Sequence, residues 1–94
     1  MLEFSVHAEG RARLVGRMDA AECRRVRAAF AEVRGPLSVD CSGLDYISSA
    51  GLALLVETHQ RLAAAGHDLR LTGVVPRVRD VFTYAGLDQL IELG

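Results

Sequence analysis

The residues with the most chemistry in this chain are two adjacent serines, Ser48 and Ser49, in the stretch LDYISSAGLALL from Leu44 to Leu55. A serine on a strand-to-helix turn is a candidate nucleophile, and such turns are where α/β proteins often place function. The frame speaks against catalysis, because an activated serine on such a turn is set in G-x-S-x-G and needs a histidine base and an acid. Here the frame is I-S-S-A-G, and the three histidines are scattered, with His7 on a first strand, His59 within a helix and His67 in a turn. Neither G-x-x-x-x-G-K-S/T nor G-x-G-x-x-G occurs, so the sequence offers no phosphate-cradling loop. Asp40 and Asp45 flank the turn read before the serines, and two carboxylates without a third ligand are a weak metal signal. Asp40 reads instead as a strand-end or turn acceptor. The expectation is a protein that is not an enzyme and needs no metal or cofactor.

What remains is the helix start. Serine is among the best N-cap residues, because its oxygen accepts a hydrogen bond from an otherwise unpaired first-turn N–H. A hydroxyl at an exposed helix N-terminus is also a good phosphoacceptor, since the helix dipole and free N–H groups tolerate an added charge of about −1.5 to −2. The surface around this start, with Asp19, Asp45 and Tyr46 as neighbours of Ser48, Ser49 and Gly51, is the candidate contact region. Gly51 has a purely packing role open to it as well, as a small residue that lets a helix start approach the sheet closely. Tyr46 equally reads as a core aromatic whose hydroxyl reaches the surface.

The elements that must position these residues follow from periodicity. At 94 residues, half of them apolar, the chain is expected to form one domain over residues 1–94 with a single core. Leu2, Phe4 and Val6 alternate with polar residues as in a half-buried strand, and Glu9-Gly10 is a plausible tight turn into a second strand, RARLVG. Asp19 opens a helix with Glu22 in a capping-box pattern, running to about Val33 and facing the sheet with Val26, Ala29, Phe30 and Val33. Arg24, Arg25, Arg27 and Arg34 are left in water. PLSVDC is a short strand leading through Ser42-Gly43 into the serines. From Ser49 to about Ala65 the pattern is helical, with Leu52, Leu55, Val56, His59, Leu62 and Ala63 as its buried stripe and Gly66 as its stop. DLRLTG is a further strand. Pro76 starts a third helix facing inward with Val78, Val81, Phe82 and Ala85, Gly86 stops it, and QLIEL is a last strand. The order is β-β-α-β-α-β-α-β, an α/β fold with a mixed sheet and about three helices.

Charge and cysteine usage narrow the partners. Eleven basic against twelve acidic residues give no single-sign field for nucleic acid or a membrane surface, and a small neutral surface suits a protein partner better. That every basic residue is arginine reads mainly as codon bias, although arginine favours interfaces more than lysine does. Cys23 and Cys41 show no C-x-x-C or zinc spacing, so a disulfide is the less favoured reading. The N-terminus lacks the pattern of a signal peptide and no stretch is long enough to span a bilayer, so a cytoplasmic location is expected.

At this point the residues resemble a family, the STAS domain, and within it the small bacterial anti-sigma factor antagonists. LVGRMDAAECRRVRAAF is similar to the family's strand and first helix, with Gly16 and Asp19 in its Gly-x-x-Asp. SVDCSGLDYISSAGLALLVETHQRLAAAG resembles the central signature, with Asp40, Ser42, Gly43, Asp45, Gly51 and Leu52 each in place. LRLTGVVPRVRDVFTYAGLDQLIEL is similar to the C-terminal third. The resemblance implies a domain that binds, unphosphorylated, an anti-sigma factor that is also a serine kinase. Phosphorylation at the start of the second helix breaks that complex, and a serine phosphatase restores it. The ATP belongs to the kinase, so this chain needs no cofactor. The best-known motif is Asp-Ser-Ser-Gly-Leu, with the acceptor just before the glycine. An ungapped match puts Ala50 there, which makes Ser49 the expected acceptor and Ser48 the second choice. The alternative that the resemblance allows is a non-switching STAS subunit bound to the ATPase of a lipid-transporting ABC system. Neither reading involves nucleic acid or direct membrane insertion, and the oligomeric state is left between monomer and weak dimer.

Overall fold

Alternation does produce the first strand, β1 (Leu2–His7), with Leu2 buried, Phe4 and Val6 half-buried and Glu3, Ser5 and His7 exposed. In the computed structural model, which describes residues 1–7 and 9–94, Gly10 takes φ +81° and its N–H donates to the His7 carbonyl at 3.1 Å. The chain then returns antiparallel as β2 (Arg11–Met18). It continues through α1 (Ala20–Phe30), β3 (Leu37–Ile47), α2 (Ser49–Ala64), β4 (Leu69–Thr72), α3 (Pro76–Tyr84), a 3-10 turn over Leu87–Gln89 and β5 (Glu92–Leu93). The sheet runs β1-β2-β3-β4-β5, with β2 to β5 mutually parallel and β1 antiparallel. Right-handed crossovers between successive strands of such a sheet place their helices on one face. The buried apolar residues accordingly form one cluster between sheet and helices. Arg11, Arg13, Arg17, Arg70 and Glu92 stand exposed on the strands.

The helices show where periodicity alone misjudges a face. In α1, Cys23, Val26 and Phe30 are buried, Ala29 is only half-buried, and the helix ends at Phe30 rather than Val33. The carbonyl of Phe30 at its end, which has no partner within the helix, and that of Val33 just beyond are held from α2. Arg61 donates from Nη1 to the Val33 carbonyl at 2.9 Å and from Nη2 to the Phe30 carbonyl at 2.7 Å. In α2 the buried residues are Gly51, Leu54, Leu55, Thr58 and Leu62, whereas Leu52, Val56 and His59 are half-buried and Ala63 is exposed. The expected stripe is rotated because closest approach to the sheet runs through Gly51, where a Cβ would lie 2.7 Å from Ile47 Cγ1. Thr58 enters this stripe without an unpaired hydroxyl, since it donates to the Leu54 carbonyl at 2.8 Å. Gly66, at φ +82°, closes the helix while the His67 N–H donates to the Leu62 carbonyl at 2.8 Å. In α3 Val78 and Phe82 are buried, but Val81 and Ala85 are exposed, so the inward face is narrower than expected. QLIEL yields only the two residues of β5, because Leu87–Gln89 wind into the 3-10 turn first.

The main departure lies in β3. The sequence reads as a strand ending near Cys41 and a turn at Ser42-Gly43, yet the strand continues unbroken to Ile47. Its buried residues are spaced by two at Leu37, Val39 and Cys41, then by three at Leu44 and Ile47. The register against β2 explains the change: Arg13 faces Asp40 but Val15 faces Gly43, and Gly16 faces Leu44 but Arg17 faces Tyr46. Each shift inserts one extra residue on the β3 side, a bulge that breaks the period of two. Asp40 supports the first bulge by accepting the Ser42 N–H at 2.9 Å. That N–H, then the Ser42 hydroxyl, with Arg13 at 3.8 Å adding less, hold the Asp40 carboxyl below its ordinary range. Asp40 and Asp45 therefore stand on one strand and flank no turn.

Candidate functional site

Two parallel strands, β2 and β3, end side by side, with Met18 opposite Ile47, and each runs directly into a helix. The Ser48 N–H donates to the Met18 carbonyl at 2.9 Å, which locks the start of α2 against the end of β2. The N-termini of α1 and α2 thus meet at the carboxyl end of the sheet, where their dipoles present a shared positive potential. The two serines divide the work. Ser48 is the N-cap, extended at φ −84° and ψ 170°, and its Oγ accepts the Gly51 N–H at 3.2 Å. Ser49 is the first helical residue and is exposed. Of the two hydroxyls at the helix start, only Ser48 caps, because the side chain at the extended position reaches the free N–H. Ser48→Ala should therefore lower stability by about 1 kcal/mol, seen as a lower urea midpoint at unchanged slope.

Asp19 corrects a second expectation. It sits at the N-cap of α1 at φ −92° and ψ 177°, but its side chain makes no capping bond and Oδ1 is buried without a hydrogen-bond partner. The capping box with Glu22 does not form, because Glu22 instead pairs with Arg25 at 2.8 Å. Asp45 and Tyr46 lie on the exposed end of β3, and Tyr46 is no core aromatic: it is 39% exposed, with the Arg17 guanidinium 4.2 Å above its ring. Sequence reasoning missed Arg17, which the second bulge brings opposite Tyr46 and which a regular register would not. Gly51 is fully buried against Ile47 and Met18 and so acts through packing.

The site is a surface and not a cleft. A recess of about 700 Å³ lies at the other end of the sheet, against Val6, Gly10, Val33 and Pro36. Among the described residues no three His, Cys, Asp or Glu side chains gather as a metal site. Among the described residues no helix is long and apolar enough to cross a membrane. Both cysteines are free and buried. Burial, with the Asp40 charge adding, pushes the Cys41 thiol up to about 12. Burial also raises Cys23, although the Ser48 hydroxyl beside it pulls partly the other way. The folded thiols therefore stay protonated where free thiols ionise, so the stability Cys41 contributes is complete below pH 9.0 and fades as pH rises towards about 12. At pH 8, iodoacetamide should label neither cysteine appreciably in the native protein and both rapidly in denaturant, as mass spectrometry would read.

A family model described as "Mlab, STAS domain" matches residues 4–92. The chain belongs to the STAS domain family. A Mycobacterium tuberculosis protein described as an anti-anti-sigma factor is 35% identical over 66 residues, covering 70% of this STAS chain and 45% of its own length. The chain thus spans less than half of that relative. Among solved structures, a Thermotoga maritima protein described as an anti-sigma factor antagonist superposes with a TM-score of 0.81 at 12% identity, covering 98% of this chain and 84% of its own. The phosphorylated form of the Bacillus cell fate determinant SpoIIAA superposes with a TM-score of 0.73 at 17% identity, covering 100% of this chain and 91% of its own. At these identities the superpositions establish the STAS fold, in agreement with the strand and helix order expected from periodicity. Within that fold, Asp19, Asp45, Tyr46, Ser48, Ser49 and Gly51 fall on the ends of β2 and β3 and the starts of α1 and α2.

Proposed function

We propose that this STAS domain is an anti-sigma factor antagonist that binds, unphosphorylated, an anti-sigma factor with serine kinase activity, and that Ser49 is the switch. The observation that carries the reading is the division between the serines. Ser48 is occupied as the cap, while Ser49 is exposed at the head of α2 with no acidic residue in the helix's first turn. A phosphate there meets the positive end of the helix and the first-turn N–H groups that Ser48 leaves free. It adds charge and bulk to the contact surface without unfolding the domain. The relative described as an anti-anti-sigma factor supports the same reading.

The contact surface is Tyr46 and Asp45 beside Ser49, with Asp19, Ser48 and Gly51 shaping the helix starts behind them. A serine phosphatase would reset the switch. The test is binding of Ser49→Asp and Ser49→Ala to the cognate kinase: loss in the first and retention in the second support the switch, and equal binding overturns it. Ala50, in the place before Gly51 where the best-known motif carries its acceptor, favours a second reading, a non-switching subunit on a transporter ATPase. That reading predicts a tight ATPase complex indifferent to both substitutions.

A further inference from the structure

The sheet has two edges, and they are treated differently. β5 is only two residues long, which leaves little to template. β1 is six residues long, contains no proline, and pairs with β2 without a register shift. It carries no bulge and no inward-pointing charge, and Glu3 is its one acidic side chain. The outward backbone groups can be assigned. The carbonyls of Met1 and His7 both point towards β2, accepting from Arg17 N–H at 3.0 Å and Gly10 N–H at 3.1 Å. Odd-numbered residues of β1 therefore bond to β2, and the N–H and C=O groups of Phe4 and Val6 face outward.

We infer that β1 is a docking edge for a second copy of this chain, paired antiparallel about a two-fold axis through Ser5. In that register Phe4 exchanges backbone hydrogen bonds with Val6 of the second copy. Both side chains are half-buried against the core and would close over one another on the inner face. On the outer face Glu3 stands opposite His7 of the second copy, twice by symmetry, in the non-hydrogen-bonded positions where facing side chains are closest. An acid facing an imidazole at both of these positions selects the second copy as occupant and fixes the register. The neighbouring two-fold pairings, centred on Phe4 or on Val6, set Glu3 against Ser5 or Glu9 and leave His7 without an acid. The dimer joins two five-stranded sheets into one and leaves both α2 starts free, so it does not depend on the proposed switch.

Sedimentation equilibrium of the full chain from micromolar to millimolar concentration tests this. The wild type should show a concentration-dependent dimer. Val6→Pro removes an outward N–H that β2 does not use, together with part of the Val6 packing, and should raise the dimer Kd about 30-fold with an unchanged circular dichroism spectrum. Glu3→Arg should weaken the dimer, and Glu3→Arg combined with His7→Glu should restore it. A wild type that stays monomeric at millimolar concentration overturns the inference, as does a dimer indifferent to Val6→Pro in a folded variant. If Val6→Pro fails to fold, the charge exchange decides: a double variant no tighter than Glu3→Arg alone overturns the register and the edge with it.

Discussion

Ser49→Asp is expected to weaken binding to the cognate kinase about 100-fold, while Ser49→Ala binds within a few-fold of wild type. The size follows from where the charge goes. Ser49 is exposed at the junction of two helix starts and two strand ends, three residues after exposed Tyr46, so a partner covering this surface desolvates position 49. A carboxylate there with no counter-charge supplied costs far more than the lost hydroxyl contact. The free domain does not share that cost. An acidic residue in the first turn is favourable to the helix dipole, and α2 has none of its own. The Ser49→Asp protein should therefore melt no lower than wild type, which separates a loss of binding from a loss of fold. Ser48→Asp is the informative companion. Aspartate caps as well as serine, so a binding loss there equal to that of Ser49→Asp would move the switch to Ser48. Calorimetric titration of each variant against the kinase gives both comparisons.

The parts of this fold that were legible in the sequence are those governed by a constant period or a single residue's conformation. Leu2, Phe4 and Val6 alternate and do form a half-buried strand. Gly66 and Gly86 stop their helices at φ +82° and +79°, and Pro76 opens α3. The illegible parts are those where tertiary contact changes the period. Two bulges shift the buried positions of β3 from a spacing of two to three, and so Ser42-Gly43 looked like a turn. Gly43 sits within the strand because a Cβ there would lie 3.1 Å from Val15 Cγ2. Backbone spacing between neighbouring strands is not written in either strand alone. The same holds for the phase of α2, set by Gly51 meeting Ile47, and for Asp19, whose cap pattern is local but whose acidic partner Glu22 turns to Arg25. The candidate site was found in sequence as a helix start. Its second half, Arg17 over Tyr46, depends on the bulge and could not be.

Phe30→Ala is expected to cost about 3–5 kcal/mol of folding stability. For a domain of 94 residues, whose whole stability is of order 5–14 kcal/mol, that is about a fifth or more. Thermal melting should fall by roughly 15–30 °C. Phe30 is the last residue of α1, is 1% exposed, and belongs to the core cluster beneath the helices. A helix end often relaxes into a cavity and softens such a loss, but here the backbone is held independently of the ring. Arg61 Nη2 donates to the Phe30 carbonyl at 2.7 Å and Nη1 to the Val33 carbonyl at 2.9 Å, so the end of α1 stays in place and the cavity stays open. Phe30→Leu, which refills most of the volume, should cost no more than about 1.5 kcal/mol. Adding Arg61→Met to Phe30→Ala frees the helix end to settle into the void, so the double variant should lose less than the sum of the two single losses. Strict additivity in urea unfolding would mean that the clamp does not hold the cavity open.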